Sequence, residues 1–295
     1  MSIFVGSATA IVTPFTDDGE KINFEVFKEL VDFQIENGTS AIVFLGTTGE
    51  PSTMSQEEKT EVIKFAIEYV NKRVPVIAGA GSNDTKTAIS VSKLYESLGV
   101  DALLHVTPYY NKCSQKGLIA HYSAISENTN LPIILYNVPS RTGVNLLPAT
   151  VNILSKQKNI VAVKEASGNI EQICEIIRLC GENFDVYSGD DGLTFSVLSL
   201  GGKGVISVAS NIVPKTISEI CKAFFEGNFV ESRRKQLTVN PLIKALFSDV
   251  NPIPVKSALN LMGTNVGVLR LPLTPMESDL LDKLKLEMTK LNLLK

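Results

Sequence analysis

The side chain with the most chemical potential in this sequence is that of Lys164, which ends an apolar run of β-branched and small residues at 160–164. Such a run predicts a buried strand. Alternation along the strand would place Ile160, Ala162 and Lys164 on one face and Val161, Val163 and Glu165 on the other. Burial disfavours a charged amine, and a neutral amine can attack a ketone to form a Schiff base. Taken alone, the lysine favours a structural ion pair, for instance with Glu165, because buried ion pairs are commoner than catalytic amines.

Other apolar runs are also followed by groups that could do chemistry. Two glycines flank two hydroxyls in the GTTGE sequence at 46–50, a turn whose N–H and hydroxyl groups suit a carboxylate. The sequences TPYY at 107–110, YNVPSR at 136–141 and SGDDG at 188–192 follow three further runs. Each of the four sequences also has another explanation. GTTGE could be a plain turn, TPYY could supply packing tyrosines, YNVPSR could end in a surface arginine, and SGDDG could be a weak Mg²⁺ site. Together they favour a metal-free and cofactor-free enzyme that acts on a small keto acid through an imine.

The elements that must position these groups alternate between short apolar runs and longer segments with helical periodicity. Eight runs predict strands, at residues 7–13, 41–45, 75–78, 102–106, 133–136, 160–164, 186–188 and 204–208. Six intervening segments predict helices, at residues 23–37, 55–71, 84–98, 115–127, 169–180 and 214–225.

Strands this apolar fit a parallel sheet covered by helices, either doubly wound or closed. The count of eight favours an α/β fold of the (β/α)₈ TIM-barrel type. Neither GxGxxG nor GxxxxGK[ST] occurs, which counts against a nucleotide fold. We predict a barrel domain over residues 1–225 and a C-terminal α-helical extension over residues 226–295.

Three helix starts carry capping signals. Asn23 is a suitable N-cap, and Ser55 with Glu58 forms a capping box. Thr274, followed by proline and then by Glu277, predicts the start of the last helix.

Composition excludes several classes of protein. The chain has 295 residues and a formal net charge of −3 without a long run of one sign, so no nucleic-acid partner or polybasic membrane surface is expected. No segment has the length and apolar density of a membrane span, and the first residues lack the basic start of a signal peptide. Four scattered cysteines without a metal-binding spacing fit a reducing cytoplasm.

Four sequences together resemble the dihydrodipicolinate synthase family, which belongs to the wider N-acetylneuraminate lyase family. They are GTTGE at 46–50, TPYY at 107–110, YNVPSRTG at 136–143 and VKEASG at 163–168, and the match is collinear over nearly the whole chain. The resemblance implies a class I lyase that condenses pyruvate with L-aspartate 4-semialdehyde in lysine and diaminopimelate synthesis. It also implies a homo-oligomer, expected to be a tetramer built from two tight dimers.

The resemblance assigns the catalytic roles. Lys164 would form the pyruvate imine, and Tyr136 would donate and accept protons during imine formation and later cyclisation. Thr47 would connect Tyr136 to Tyr110, which in the family reaches in from the neighbouring subunit.

The substrate-binding roles follow in the same way. Thr48 would hold the pyruvate carboxylate with the N–H groups of its turn. Arg141 would bind the carboxylate of the semialdehyde, and Gly189 and Ile206 would line the pocket with backbone atoms.

Two alternatives share much of this equipment. Another pyruvate-dependent aldolase, such as a lyase of N-acetylneuraminate or of 2-keto-3-deoxy sugar acids, would keep the lysine and the tyrosine. Sialic acid lyases typically have Gly-Ser-Thr-Gly-Glu where this chain has GTTGE, and they lack an arginine that matches Arg141. A non-catalytic binding protein on the same scaffold would have no use for the amine of Lys164.

The resemblance also bears on feedback by lysine, the end product of that pathway. Lysine-sensitive members bind it with histidines on the helix after GTTGE and with a glutamate on the next helix. Here Gln56 and Lys59 take the histidine positions and Thr87 takes the glutamate position. A lysine ammonium needs a partner once it leaves water, so we expect weak inhibition or none unless Glu57 or Glu58 substitutes.

Overall fold

Eight short parallel strands form the centre of the computed structural model, which describes residues 2–294. Each strand is hydrogen-bonded to the next, and β8 returns to pair with β1 in a closed barrel. The strands are β1 Gly6–Ala10, β2 Ala41–Phe44, β3 Val76–Gly79, β4 Ala102–Val106, β5 Ile133–Asn137, β6 Ile160–Glu165, β7 Asp185–Ser188 and β8 Gly204–Ser207. All eight predicted strands are present within a few residues of their predicted bounds. The (β/α)₈ TIM barrel with a C-terminal helical part is confirmed.

Twelve α-helices lie within the described residues. They are α1 Phe24–Glu36, α2 Gln56–Val70, α3 Thr85–Leu98, α4 Gln115–Ser126, α5 Pro139–Thr142, α6 Pro148–Leu154, α7 Ile170–Cys180, α8 Thr194–Ser199, α9 Pro214–Phe225, α10 Phe229–Leu246, α11 Ile253–Leu261 and α12 Ser278–Lys290. Helices α5, α6 and α8 were not predicted, because helices of four to seven residues are too short to show a 3.6-residue period. In residues 2–294 no helix is both long and apolar enough to cross a bilayer.

The C-terminal helices share a hydrophobic layer with the barrel. Leu242 and Leu246 of α10 and Leu284 of α12 are fully buried, in one cluster with Ile42 of β2 and Ile220 of α9. The predicted division at residue 225 falls in the turn between α9 and α10, and the two-domain description stays a prediction.

The barrel closes through a contact that requires glycine. Gly6 and Gly204 are register partners on β1 and β8, and a Cβ atom at position 204 would lie 1.8 Å from the Gly6 carbonyl oxygen. The interior is filled mainly by small and branched side chains, together with the rings of Phe4 and Tyr187, which stack with centroids 4.2 Å apart. Because the interior is filled, a site must lie at an end of the barrel, and in TIM barrels it lies at the carboxyl ends of the strands.

The predicted alternation along β6 is wrong at its first two residues, since Val161 packs against the barrel interior and Ile160 does not. Ala162 and Lys164 face the barrel interior, but Ile160 packs with Val163 in the layer between strands and helices. The register shifts here, since Ile133 of β5 pairs with Ile160 and Ile134 pairs with Ala162. Val161 is therefore an extra residue on β6, which reverses the side-chain direction of Ile160. The face predicted for Lys164 itself is correct.

The predicted capping signals have different outcomes. Asn23 caps α1, and Ser55 and Glu58 form a complete capping box at α2. The cap predicted at Thr274 is wrong, since α12 begins at Ser278 with no side-chain cap. Residues 273–277 before it form no helix or strand, and Met276 is buried in the hydrophobic layer around the barrel.

Candidate active site at the carboxyl end of the barrel

A cavity of about 760 Å³ opens at the carboxyl ends of the strands. Residues from five strand ends line one side of it, among them Thr47, Thr48, Tyr136, Arg141, Lys164 and Gly189. The opposite side comes from the C-terminal part, including Asn240, Lys244, Phe247, Asp249 and Asn251. The cavity therefore unites six of the eight predicted site residues with a wall that the sequence analysis did not anticipate.

Lys164 and Tyr136 form the centre of this cavity. They are register partners on β6 and β5, and both side chains are buried, at 5% and 7% exposed. The lysine Nζ lies 4.4 Å from the centroid of the tyrosine ring. An amine and a phenol are thus held side by side at a pocket large enough for small substrates.

Glu165 is not the partner of Lys164. Its carboxylate points to the other face of β6 and accepts hydrogen bonds from Asn137 Nδ2 (3.0 and 3.2 Å), Ser167 N (2.7 Å) and Gln172 Nε2 (3.2 Å). Burial raises the pKa of the Glu165 carboxyl, and these donors oppose the shift. Among residues 2–294, no carboxylate lies within 4.0 Å of the lysine Nζ. The ion-pair alternative therefore has no support.

Gly189, which follows β7, makes room for the lysine side chain. A Cβ atom at this position would lie 3.1 Å from Lys164 Cε and 2.7 Å from Ala166 Cβ. The glycine N–H also donates to the Glu165 carbonyl oxygen at 2.7 Å. Any larger residue would push the lysine stem out of its present place.

Thr47 and Thr48 lie in a 3₁₀ turn, Thr47–Gly49, directly after β2. The first N–H groups of a helical turn have no partner within the turn, which leaves those of Thr47 and Thr48 available as donors. Thr48 is 2% exposed, and its Oγ1 accepts a hydrogen bond from Asn251 Nδ2 at 2.9 Å. The turn offers N–H and hydroxyl groups of the kind that a carboxylate needs.

Arg141 lies in the short helix α5 at the mouth of the cavity. Its side chain is exposed and donates from Nη2 to the Asn251 carbonyl oxygen at 3.2 Å. Asn251 therefore contacts both Thr48 and Arg141 from the C-terminal part of the chain. Asn251 was not predicted as a site residue, because a lone asparagine more than a hundred residues from its partners carries no sequence signal.

The structure does not bring Tyr110 or Ile206 into the cavity. Tyr110 is 92% exposed and adopts a left-handed backbone conformation with φ of 70°. Ile206 is buried in the barrel interior together with Tyr187. The roles predicted for both residues stay predictions.

In the acidic pair at 190–191, Asp190 lines the cavity, whereas Asp191 is held by local structure. Asp191 is 1% exposed, and its carboxylate accepts from Ser207 Oγ and from the N–H groups of Val208 (2.9 Å) and Ala209 (3.3 Å). Burial raises its pKa, and these donors oppose the shift. Across residues 2–294, no three His, Cys, Asp or Glu residues come together as a potential metal site.

A second cavity, of about 500 Å³, lies on the other side of Thr47, Tyr136 and Arg141, which line both. Gln56, Lys59, Thr87 and Tyr109 are among its lining residues, and none of the lining residues is Asp or Glu. The lysine at 59 is half-buried, and burial lowers its pKa. Glu58, one of the two predicted substitute carboxylates, is instead paired with Arg270.

Comparisons with known proteins agree with this geometry. The model of the "Dihydrodipicolinate synthetase family" matches residues 3–291. The chain is 52% identical to 4-hydroxy-tetrahydrodipicolinate synthase 1 of Clostridium acetobutylicum, over the full length of both chains.

Two solved structures are similarly close. Dihydrodipicolinate synthase from Thermotoga maritima has a TM-score of 0.97 at 45% identity, covering 99% of this chain and 100% of that one. A structure characterised as the first monomeric dihydrodipicolinate synthase variant has a TM-score of 0.96 at 44% identity, covering 99% of this chain and 98% of that one. The chain therefore belongs to the dihydrodipicolinate synthetase family.

Proposed function

We propose that this chain is a class I lyase that condenses pyruvate with L-aspartate 4-semialdehyde, through a Schiff base on Lys164, to give 4-hydroxy-tetrahydrodipicolinate. This is the activity in the name of its full-length relative, and it would place the chain in lysine and diaminopimelate synthesis. The observation that carries the proposal is the buried Lys164 amine beside the Tyr136 ring, in a cavity that also contains Thr48 and Arg141.

The first step would be addition of the Lys164 amine to the keto carbon of pyruvate. The adduct must lose water to become the imine, and the departing oxygen needs a proton. Tyr136 is the phenol in the cavity that lies against the lysine, and it could deliver that proton. The pyruvate carboxylate would be held by Thr48 and the N–H groups of its turn.

The imine makes the pyruvate methyl group acidic, so loss of one proton gives an enamine. Its terminal carbon adds to the aldehyde carbon of the semialdehyde, and the resulting alkoxide takes up a proton. The amino group of the semialdehyde then attacks the imine carbon, the ring closes, and Lys164 leaves as a free amine. One pyruvate and one semialdehyde are consumed, and one water is released.

Arg141 would bind the carboxylate of the semialdehyde. The guanidinium is exposed at the cavity mouth, with one hydrogen bond to the Asn251 carbonyl oxygen, so further N–H donors remain for a ligand. A planar guanidinium can grip a carboxylate with two parallel hydrogen bonds.

An assay with two classes of substrate distinguishes this function from that of the related aldolases. Purified chain would be incubated with pyruvate and the semialdehyde and, separately, with N-acetylneuraminate or a 2-keto-3-deoxy sugar acid. Mass spectrometry should detect a condensation product equal in mass to the two substrates less one water. Release of pyruvate from a sugar acid, without that condensation, would favour the other aldolases.

Tyr110 would act in a homo-oligomer, as part of the active site of a neighbouring copy. Its ring is 92% exposed on a loop where Tyr109 is 41% exposed, and its left-handed backbone costs free energy that a subunit contact could offset. We expect a tetramer of two tight dimers, although one similar structure is a monomeric variant.

A hybrid experiment tests the crossed position of Tyr110. Tyr110→Phe and Lys164→Ala chains, each poorly active alone, would be co-expressed with different tags and the hybrid isolated. One site of each hybrid pair would then combine an intact Lys164 with an intact Tyr110 from the other chain, and activity should return to about half that of the wild type. If the hybrid is no more active than the Tyr110→Phe protein alone, the tyrosine acts within its own chain.

A further inference from the structure

The turn that carries Thr47 and Thr48 is bounded by two strained residues. Leu45 and Glu50 both adopt the left-handed backbone conformation, with φ of 56° and 54°, and both are buried, at 3% and 4% exposed. This conformation is unfavourable for a residue with a side chain and persists where the surroundings enforce it. Some contact must therefore hold the turn in place.

At Glu50 that contact comes from the C-terminal part of the chain. Lys256 of α11 donates from Nζ to Glu50 Oε1 at 2.8 Å, and the backbone N–H of Arg270 donates to Glu50 Oε2 at 3.2 Å. Both side chains of the ion pair are almost fully buried, at 2% and 1% exposed. The carboxylate is fixed at both oxygens.

The ammonium of Lys256 is fixed equally well. It also donates to the Val268 carbonyl oxygen at 2.8 Å, and it lies 4.5 Å from the centroid of the Phe15 ring. Burial lowers the pKa of this amine, and the charge of Glu50 opposes the shift. The lysine thus joins α11, the segment after it and the turn after β2 through hydrogen bonds.

A second contact reaches the same turn from the residues just before α11. As described above, Asn251 bonds to the hydroxyl of Thr48 and accepts from Arg141. The C-terminal part therefore holds the turn at both Thr48 and Glu50. Neither Glu50 nor Lys256 lines the cavity, so neither could touch a bound substrate directly.

We propose that Glu50 and Lys256 are a positioning pair, which holds the Thr47–Thr48 turn in the position where it binds the pyruvate carboxylate. This inference rests on the proposed function. It gives the C-terminal helical part a role in the chemistry of the barrel beyond packing. Because the turn binds one substrate, loss of the pair should raise the pyruvate concentration needed for half-saturation.

The test separates positioning from stability with three variants, Glu50→Gln, Lys256→Met and the double variant. Each single change leaves one buried charge without its partner, which strongly destabilises a fold, whereas removing both charges is often neutral or stabilising. The unfolding midpoint of the double variant should therefore recover toward that of the wild type. Its half-saturating pyruvate, measured by borohydride trapping of the imine, should stay on the order of 10- to 100-fold raised.

A matched control is the surface pair Glu231 and Arg234 of α10, joined by hydrogen bonds of 2.7 Å. The Glu231→Gln/Arg234→Met variant should change neither the unfolding midpoint nor the half-saturating pyruvate.

Two results would overturn the inference. In one, half-saturating pyruvate in the double variant returns to the wild-type value. In the other, it follows the unfolding midpoint from variant to variant, which would make the pair a stabilising device. Absence of any trapped imine in the wild type would instead reject the proposed function.

Discussion

Lys164 and Tyr136 are register partners on neighbouring barrel strands, and the lysine Nζ lies 4.4 Å from the centroid of the tyrosine ring. Because strand pairing fixes this relationship, the amine and the phenol approach each other without help from mobile loops. Gly189 on the other side of the lysine leaves space for its stem. The pair is thus preorganised before any substrate arrives.

Tyr136→Phe should slow turnover while leaving pyruvate binding nearly unchanged. The phenyl ring keeps the packing, but the proton donor is lost, an effect on the order of 10²–10⁴-fold in kcat. Steady-state kinetics with both substrates measures it. As a control, Tyr69→Phe removes a phenol that bonds to Asp32 at 2.5 Å, between α1 and α2, and should leave kcat unchanged. Normal turnover in Tyr136→Phe would refute its role in proton transfer.

Arg141→Ala should impair use of the semialdehyde far more than use of pyruvate. Loss of one charge-assisted hydrogen-bonding partner costs about 1.5–3 kcal/mol, or roughly ten- to a hundred-fold in the KM for the semialdehyde. The matched control is Arg178→Ala, which removes an exposed guanidinium of α7 paired with Glu175. Equal damage to both substrates would identify Arg141 as a structural residue.

Lysine should inhibit the enzyme weakly or not at all. The cavity that contains Gln56, Lys59 and Thr87 offers a lysine side chain no carboxylate among its lining residues, and the half-buried Lys59 adds a like charge. A missing charged hydrogen bond lowers affinity by roughly ten- to a hundred-fold.

Titration of lysine into the assay measures this, and half-inhibition at sub-millimolar lysine would contradict it. Conversely, Thr87→Glu with Lys59→His should increase lysine sensitivity, because the variant gains a carboxylate and loses a competing ammonium. The Thr87→Ala variant is the matched control and should stay insensitive.

The barrel and most of the site could be predicted because their signals are local. Each strand is a short apolar run, and the groups that do chemistry lie at or shortly after its carboxyl end. Lys164 is the next-to-last residue of β6, and Thr47 lies shortly after β2. In a parallel barrel these ends meet at one face, so sequence position alone brings the groups together.

The rest depends on contacts between distant parts of the chain. The pair of Glu50 and Lys256 spans 206 residues, and the bond from Asn251 to Thr48 spans 203. No periodicity or spacing encodes such contacts. The reversed direction of Ile160 has a similar origin, since it results from a register shift against the neighbouring strand.

The most direct test of the central claim is to find the lysine that forms the imine. The protein would be treated with borohydride in the presence of pyruvate, digested and mapped by mass spectrometry. We predict one reduced pyruvate adduct per chain, on Lys164, absent from the Lys164→Ala variant and unchanged in Lys158→Ala, which removes an exposed lysine just before the same strand. An adduct on another lysine, or none in the wild type, would contradict the account.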